Sequence, residues 1–242
     1  MATTFSTTSM PSPVVASGSA EILARMERLP LSSWHLKARA IVGSATFFDG
    51  IDYVAIGMVL TAVERAQSLA PRTDSRPKIT HCTLINDDLV RRIKATGTVP
   101  ALFTTYAYYN SDKFGFYGEE MMKRCMAFRT LLDAGVPVAA GSDFQPGPFD
   151  PRMAIQGMVT RTGWDGKTWG ANQRISVDEA LRVNTLNGAY NSHEEAIKGS
   201  ITPGKLADFV VLAEDLHTMD AGKIKDVAIV RTVVGGATVY QA

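Results

Sequence analysis

Apolar and polar positions fall into blocks along this chain, and the blocks read as strand, helix, strand, helix, strand. Val136-Pro-Val-Ala-Ala is an apolar run that stops at Gly141-Ser142-Asp143, the pattern of a short strand buried on both faces. Pro77-Lys-Ile-Thr-His81 and Thr98–Phe103 are two further strand-like runs. Between them, Asn86 caps a helix that runs to Lys94, with Asp87 and Asp88 at its favourable dipole end and Gly97 closing it. Upstream, a helix from Tyr53 to Leu69 aligns Val54, Met58, Ala62 and Val63 on one stripe, which reads as a core face, and Pro71 ends it. Glu119–Ala134 carries Met122, Cys125, Met126, Leu131 and Leu132 as its apolar positions and reads as one long helix, terminated by Gly135. Met153–Thr160 and Val177–Val183 give two more helices. Strands separated by helices imply parallel pairing through right-handed crossovers.

Towards the end of the chain the period changes. Residues Lys198 to Leu212 form a turn-rich entry into a strand, and Val230–Tyr240 reads as a strand pair broken at Gly235-Gly236, a hairpin signal. At the other end, residues 1–19 are rich in Ser, Thr, Pro and Ala without a basic start or apolar core, so a flexible N-terminal tail is expected there and not a secretory signal. Ala40–Phe48 is strand-like, with only Asp49 and Asp52 at its tip and His35 upstream. No apolar run approaches the length of a membrane span.

Composition narrows the picture. The 242 residues are 45% hydrophobic and 20% charged, ordinary values for a soluble globular protein. A formal net charge of +1 gives no electrostatic basis for nucleic acid or an anionic membrane as partner, and leaves small-molecule substrates, neutral or weakly charged, open. Cys82 and Cys125 are too few for a disulfide framework, and reduced thiols fit a cytoplasmic protein.

The candidate chemistry sits at strand ends. Asp143 at the tip of its strand is placed as a metal ligand or general base; it is equally placed to cap the turn that Pro146-Gly147-Pro148 begins. His81 ends a second strand, and a histidine with an aspartate on neighbouring strand ends is a metal-ligand pairing. The third strand leads into an aromatic and polar loop, in which Tyr106 and Tyr109 stand as substrate contacts or as parts of a lid. His193 and His217, among acidic or polar neighbours, read as surface residues.

The order Ile-Thr-His81, Gly-Ser-Asp143, Glu179-Ala-Leu-Arg, Lys198-Gly-Ser-Ile-Thr-Pro-Gly-Lys-Leu-Ala-Asp208 and Val-Gly-Gly resembles the amidohydrolase superfamily and, within it, the amidohydrolase 3 (YtcJ-like) group of metal-dependent hydrolases. The resemblance runs from about Tyr53 to Tyr240, and the Gly-Ser-Ile-Thr-Pro-Gly-Lys-Leu-Ala-Asp stretch is its most specific part. It implies an α/β fold: the C-terminal half of a (β/α)8 TIM-like barrel over residues 20–200, followed by strands of a small β-sandwich over 201–242. It also implies a divalent metal, zinc, with His81 as a ligand and Asp143 as both ligand and general base. The implied substrates are amide-like C–N bonds other than peptide bonds, in N-acyl or N-formyl compounds.

Two family features are absent from the sequence. No His-x-His occurs, and where the family resembles His-Ala-x-Gly-Asp this chain has Asp49 and Asp52-Tyr53. Two recognisable ligands make zinc binding weak or absent. Two expectations follow: a hydrolase completed by another chain or copy, or a catalytically inactive truncated fragment serving as an interaction module. Open strand edges also make self-association the expectation.

Overall fold

Three short strands pair in parallel in the computed structural model, whose described residues are 54–144 and 147–242. They are β1 (Lys78–His81), β2 (Val99–Phe103) and β3 (Ala139–Gly141), in the order β1-β2-β3, with Ile79 opposite Pro100 and Ala101 opposite Ala139. Every residue of β2 is buried, as its unbroken apolar sequence requires of a strand covered on both faces. Leu102 joins the main core, while Val99, Ala101 and Ala139 form a smaller cluster closed by Tyr190. His35, the strand-like Ala40–Phe48 and Asp49 and Asp52 lie outside the described residues.

Helix α1 (54–69) precedes β1, and α2 (Asp87–Thr96) follows it. The Asn86 side chain accepts from the Leu89 amide as expected of a cap, and Gly97 ends α2 at φ 65°. The expected core stripe of α1 is corrected. Val54 and Met58 are 57% and 68% exposed, and the buried positions are Ile56 and Leu60. Arg92 of α2 donates to the Gly57 carbonyl, Thr61 and both oxygens of Glu64, which ties α1 to α2, while the core covers the adjoining side that carries Ile56 and Leu60.

The long helix expected over Glu119–Ala134 is also corrected. It is two short helices, α4 (Glu119–Met122) and α5 (Phe128–Asp133), because the chain between them bridges to Leu84 through Cys125 and passes through Met126 at φ 46°. Breaking a helix frees carbonyls that must find donors. Arg161, 1% exposed, supplies them: Nη2 donates to the Met122 and Cys125 carbonyls at 3.4 and 3.3 Å and Nη1 to Met126 at 3.5 Å, while Nε takes the Trp169 carbonyl at 3.0 Å. Burial pulls this guanidinium down to about 10, still well above neutrality, so it remains a cation at pH 7.

The short helix α3 (Tyr106–Tyr109) stands after β2 where the sequence suggested a loop. Further on come α6 (Pro151–Thr160), α7 (Val177–Asn184) and α8 (Leu186–Asn191). Glu179 closes a capping box with Ser176 and is gripped by both terminal nitrogens of Arg129, which ties α7 to α5. No helix among the described residues is long and apolar enough to cross a membrane.

The C-terminal strands β4 (Phe209–Leu212), β5 (Ile229–Val234) and β6 (Ala237–Gln241) form an antiparallel sheet, and Gly235 and Gly236, at φ 58° and 80°, make the hairpin turn. The stretch most diagnostic of the family resemblance is used here to hold the fold. Asp208 accepts from the Gly235 amide, the Ala207 carbonyl accepts from Gly236, and Lys205 Nζ reaches the Ser200 hydroxyl.

His217 is half-exposed, as a surface residue should be, and it bridges Asp215 and Asp178, the latter in the first turn of α7. Hydrogen bonds to Asp178 first and Asp215 second raise its pKa above the ordinary 6.5. The bridge is therefore complete below pH 6.5 and is lost as pH rises through the raised value. An NMR titration of His217 should give a midpoint above 6.5 that falls towards it in Asp178→Asn; a midpoint at or below 6.5 in the unaltered chain would show that the bridge does not form in solution.

Candidate active site

Each candidate residue owes its place to a local turn. The Cys82 amide donates to the Thr80 carbonyl at 3.0 Å around His81, which sits at φ 71°, so the chain closes a three-residue turn at the carboxyl end of β1 and His81 is its apex. Asp143 sits at φ 54°, two residues past β3. Its carbonyl accepts from the Gly147 amide at 3.0 Å, and the Phe144 amide donates to the Ser142 hydroxyl at 3.3 Å. Both residues therefore occupy left-handed backbone, a conformation that concentrates at functional positions.

β1 and β3 are not neighbours; β2 lies between them, which sets their backbones about 10 Å apart. The two side chains nevertheless meet over the end of β2. His81 Nε2 stands 3.5 Å from Asp143 Oδ1, and the ring of Phe103, the last residue of β2, lies under His81 at 4.2 Å between centroids. Tyr106 continues the stack at 4.5 Å from Phe103 and donates its hydroxyl to Asp143 Oδ2 at 2.8 Å. Burial first, and then that hydrogen bond, push the Tyr106 phenol up to about 12, so it is a neutral donor throughout the physiological range.

Gly147 makes this closure possible. A Cβ there would lie 2.5 Å from the Ser142 carbonyl and 2.9 Å from the Tyr106 ring, so a larger residue would separate the turn from the tyrosine. The sequence marked His81, Asp143 and Tyr106, and the structure brings all three together. Tyr106, a candidate substrate contact, donates its hydroxyl to Asp143. Tyr109 stands 44% exposed on the same short helix. Phe103 and Gly147 carried no signal beyond a strand-terminal aromatic and a glycine between two prolines.

His81 and Asp143 are half-open to solvent at 42% and 28%. His81 also borders a recess of about 210 Å³ between α1 and β1, lined by Ala55, Ile56 and Val59 and by β1 itself. A larger polar recess of about 300 Å³, among Asn86, Glu120, Arg124 and Gln173, includes neither His81 nor Asp143.

As a metal centre the described donors fall short. They offer one imidazole and one carboxylate, and one oxygen of that carboxylate already accepts from Tyr106. Cys82 is adjacent in sequence, but burial pushes its thiol up to about 12, so no thiolate is present at neutral pH. No group of three His, Cys, Asp or Glu side chains placed to hold a metal ion exists among the described residues. The pair makes one side of a site and does not close it.

The YtcJ protein of Bacillus subtilis is 27% identical over 206 residues, which are 82% of this chain and 38% of that protein. The N-substituted formamide deformylase of Arthrobacter pascens is 29% identical over 196 residues, 79% of this chain and 36% of that one. The chain thus spans less than two fifths of the length of these relatives. Among solved structures, a metal-dependent hydrolase from Pyrococcus horikoshii superposes with a TM-score of 0.55 at 23% identity, over 66% of this chain and 32% of the other, which establishes a common fold. The model of the amidohydrolase family matches residues 49–240, and the chain belongs to that family.

Proposed function

We propose that this chain carries the acid–base side of a hydrolase for carbon–nitrogen bonds other than peptide bonds, acting on small amide-like compounds of the N-acyl or N-formyl type. The observation that carries this reading is the meeting of His81 and Asp143 at 3.5 Å across the end of β2, from strands that do not touch. Two relatives, named as a formamide deformylase and an amidohydrolase, support the bond class. In this reading the chain forms the C-terminal part of a barrel, with the site at the carboxyl ends of its strands.

Asp143 is the proton carrier. It takes a proton from the attacking water through Oδ1 and returns it to the departing nitrogen, while Tyr106 holds Oδ2 and keeps the carboxylate from turning away. His81 faces the same oxygen and fixes the other side of the water's position. A divalent metal, zinc in the first instance, would be held by His81 and Asp143 together with donors beyond these two.

A second reading, a catalytically inactive fragment or interaction module, is favoured by the lack of any three-donor group among the described residues. Replacing the corresponding segment of the Bacillus subtilis relative with this chain separates the two. Turnover of N-acyl or N-formyl amines should appear in the folded chimera and fall by about 10²- to 10⁴-fold in its Asp143→Asn form, the range for loss of a positioned acid–base group. A folded chimera without turnover supports the inactive reading, and turnover indifferent to Asp143→Asn removes the role given to Asp143.

A further inference from the structure

After α6 the chain folds back on itself in a narrow loop whose root and tip are held separately. At the root the Trp169 amide donates to the Arg161 carbonyl at 3.1 Å, and Arg161 Nε donates back to the Trp169 carbonyl. Thr162 and Thr168 bridge across the loop next to that pair. At the tip, Gly166 turns the chain at φ 75°. The Trp164 amide there donates at 3.2 Å to the Tyr108 carbonyl, in the last turn of α3, where a helix leaves its acceptors open. Asp165 makes the second hold. Its Oδ1 accepts from the Ser111 hydroxyl at 2.8 Å and from the Lys167 amide at 3.2 Å, so one carboxylate oxygen braces the tip and ties it to the chain just past α3. Ser111 is 1% exposed and the Asp165 side chain 13%. A Cβ on Gly163 would overlap the Ser111 side chain, so the two segments touch with no room between them.

What the loop grips is the helix that carries Tyr106. α3 is a single turn, far below the length at which a helix holds itself together. Packing sets how closely it lies on α6: a Cβ at Gly157 would come within 3.2 Å of the Tyr108 amide and 3.3 Å of the Ala107 side chain. The bonds from Trp164 and to Asp165 are directional, and they fix how α3 is turned on that support. Tyr106 opens the same turn, and its hydroxyl reaches Asp143 Oδ2 at 2.8 Å. We propose that Asp165 is a positioning residue of the site: through Ser111 it holds α3 in the orientation that sets the Tyr106 hydroxyl on Asp143. The hold rests on the loop geometry alone. Its effect on catalysis rests on the hydrolase reading, in which Tyr106 keeps the Asp143 carboxylate from turning away.

The test begins on the full chain, without turnover, by NMR of isotope-labelled tyrosine rings. The Tyr106 peak, identified by its loss in Tyr106→Phe, should lie displaced from that of free tyrosine because the Phe103 ring stands 4.5 Å away. Asp165→Ala should move the peak most of the way to the free position. Asp165→Asn keeps Oδ1 as an acceptor for Ser111 and the Lys167 amide and should leave the peak in place, a rescue that a general loosening of the loop does not give. If Asp165→Ala does not fold, Ser111→Ala, which removes only the donor, should move the peak in the same direction. In the chimera with the Bacillus subtilis relative, Asp165→Ala should lower kcat by about 10- to 100-fold with KM unchanged, the mark of an interaction lost from the transition state alone. A Tyr106 peak that stays in place in folded Asp165→Ala or Ser111→Ala overturns the proposal, and so does one displaced equally by Asp165→Asn. Turnover that is lost in Asp143→Asn yet indifferent to Asp165→Ala overturns the catalytic half of it. A chimera silent with Asp165 intact fails the hydrolase reading alone, and the Tyr106 peak still decides the hold.

Discussion

Arg161→Met should destabilise the chain by about 3–5 kcal/mol, a large part of the roughly 5–15 kcal/mol that a domain of this kind has in total. Methionine fills much of the same space and donates nothing. The Met122, Cys125, Met126 and Trp169 carbonyls then lose the bonds that Arg161 gives them, each worth about 1.5–3 kcal/mol as a hydrogen bond to a charged group, although Met122 and Met126 still accept from the Cys125 and Phe128 amides. Arg161→Lys should recover only part of the loss, because one ammonium cannot span carbonyls that a planar guanidinium reaches with three nitrogens. Gly170 belongs to the same assembly: a Cβ there would strike the Met122 carbonyl and come within 2.7 Å of Arg161 Nη2. Urea unfolding of the methionine variant is the measurement. A loss below about 1 kcal/mol would mean that water enters and satisfies the break between α4 and α5.

Zinc should bind the chain with an affinity set by two donors. Four-ligand structural sites supply about 10–16 kcal/mol, and half of that, roughly 5–8 kcal/mol, corresponds to dissociation constants of about 1–200 μM. His81→Ala and Asp143→Asn should each push binding into the millimolar range, while His193→Ala, a residue beside Asp74 on the surface, should leave it unchanged. Calorimetric titration of the purified chain decides. Submicromolar binding that survives His81→Ala would show that donors outside the described residues already complete a site without it.

The sequence made the parallel strands readable because their apolar runs are short, bounded by turn residues and separated by helix-length segments. The Asn86 cap, the Gly97 stop and the Gly235-Gly236 hairpin turn were equally readable, since each depends on a few contiguous residues. The break at Met122–Phe128 was not, because the Leu84 partner of Cys125 lies 41 residues upstream and the Arg161 guanidinium that serves the freed carbonyls 35 or more downstream. The stripe on α1 misled for a similar reason. Helical periodicity identified an apolar stripe through Val54 and Met58, but packing with elements distant in sequence covers Ile56 and Leu60 instead. At the site, residue types at strand ends nominated His81 and Asp143, while the hydrogen bond from Tyr106, 37 positions away from Asp143, is a property of the fold alone.

The left-handed backbone at His81 and Asp143 sets stability against chemistry at the level of single codons. An L-residue there carries about 1–2 kcal/mol of conformational cost that glycine does not. A laboratory population selected only for heat resistance should therefore accumulate glycine at both positions and shed the imidazole and the carboxylate together. Retention of both side chains under such selection would mean that the turns they occupy are held in place by something stronger than their own backbone preference.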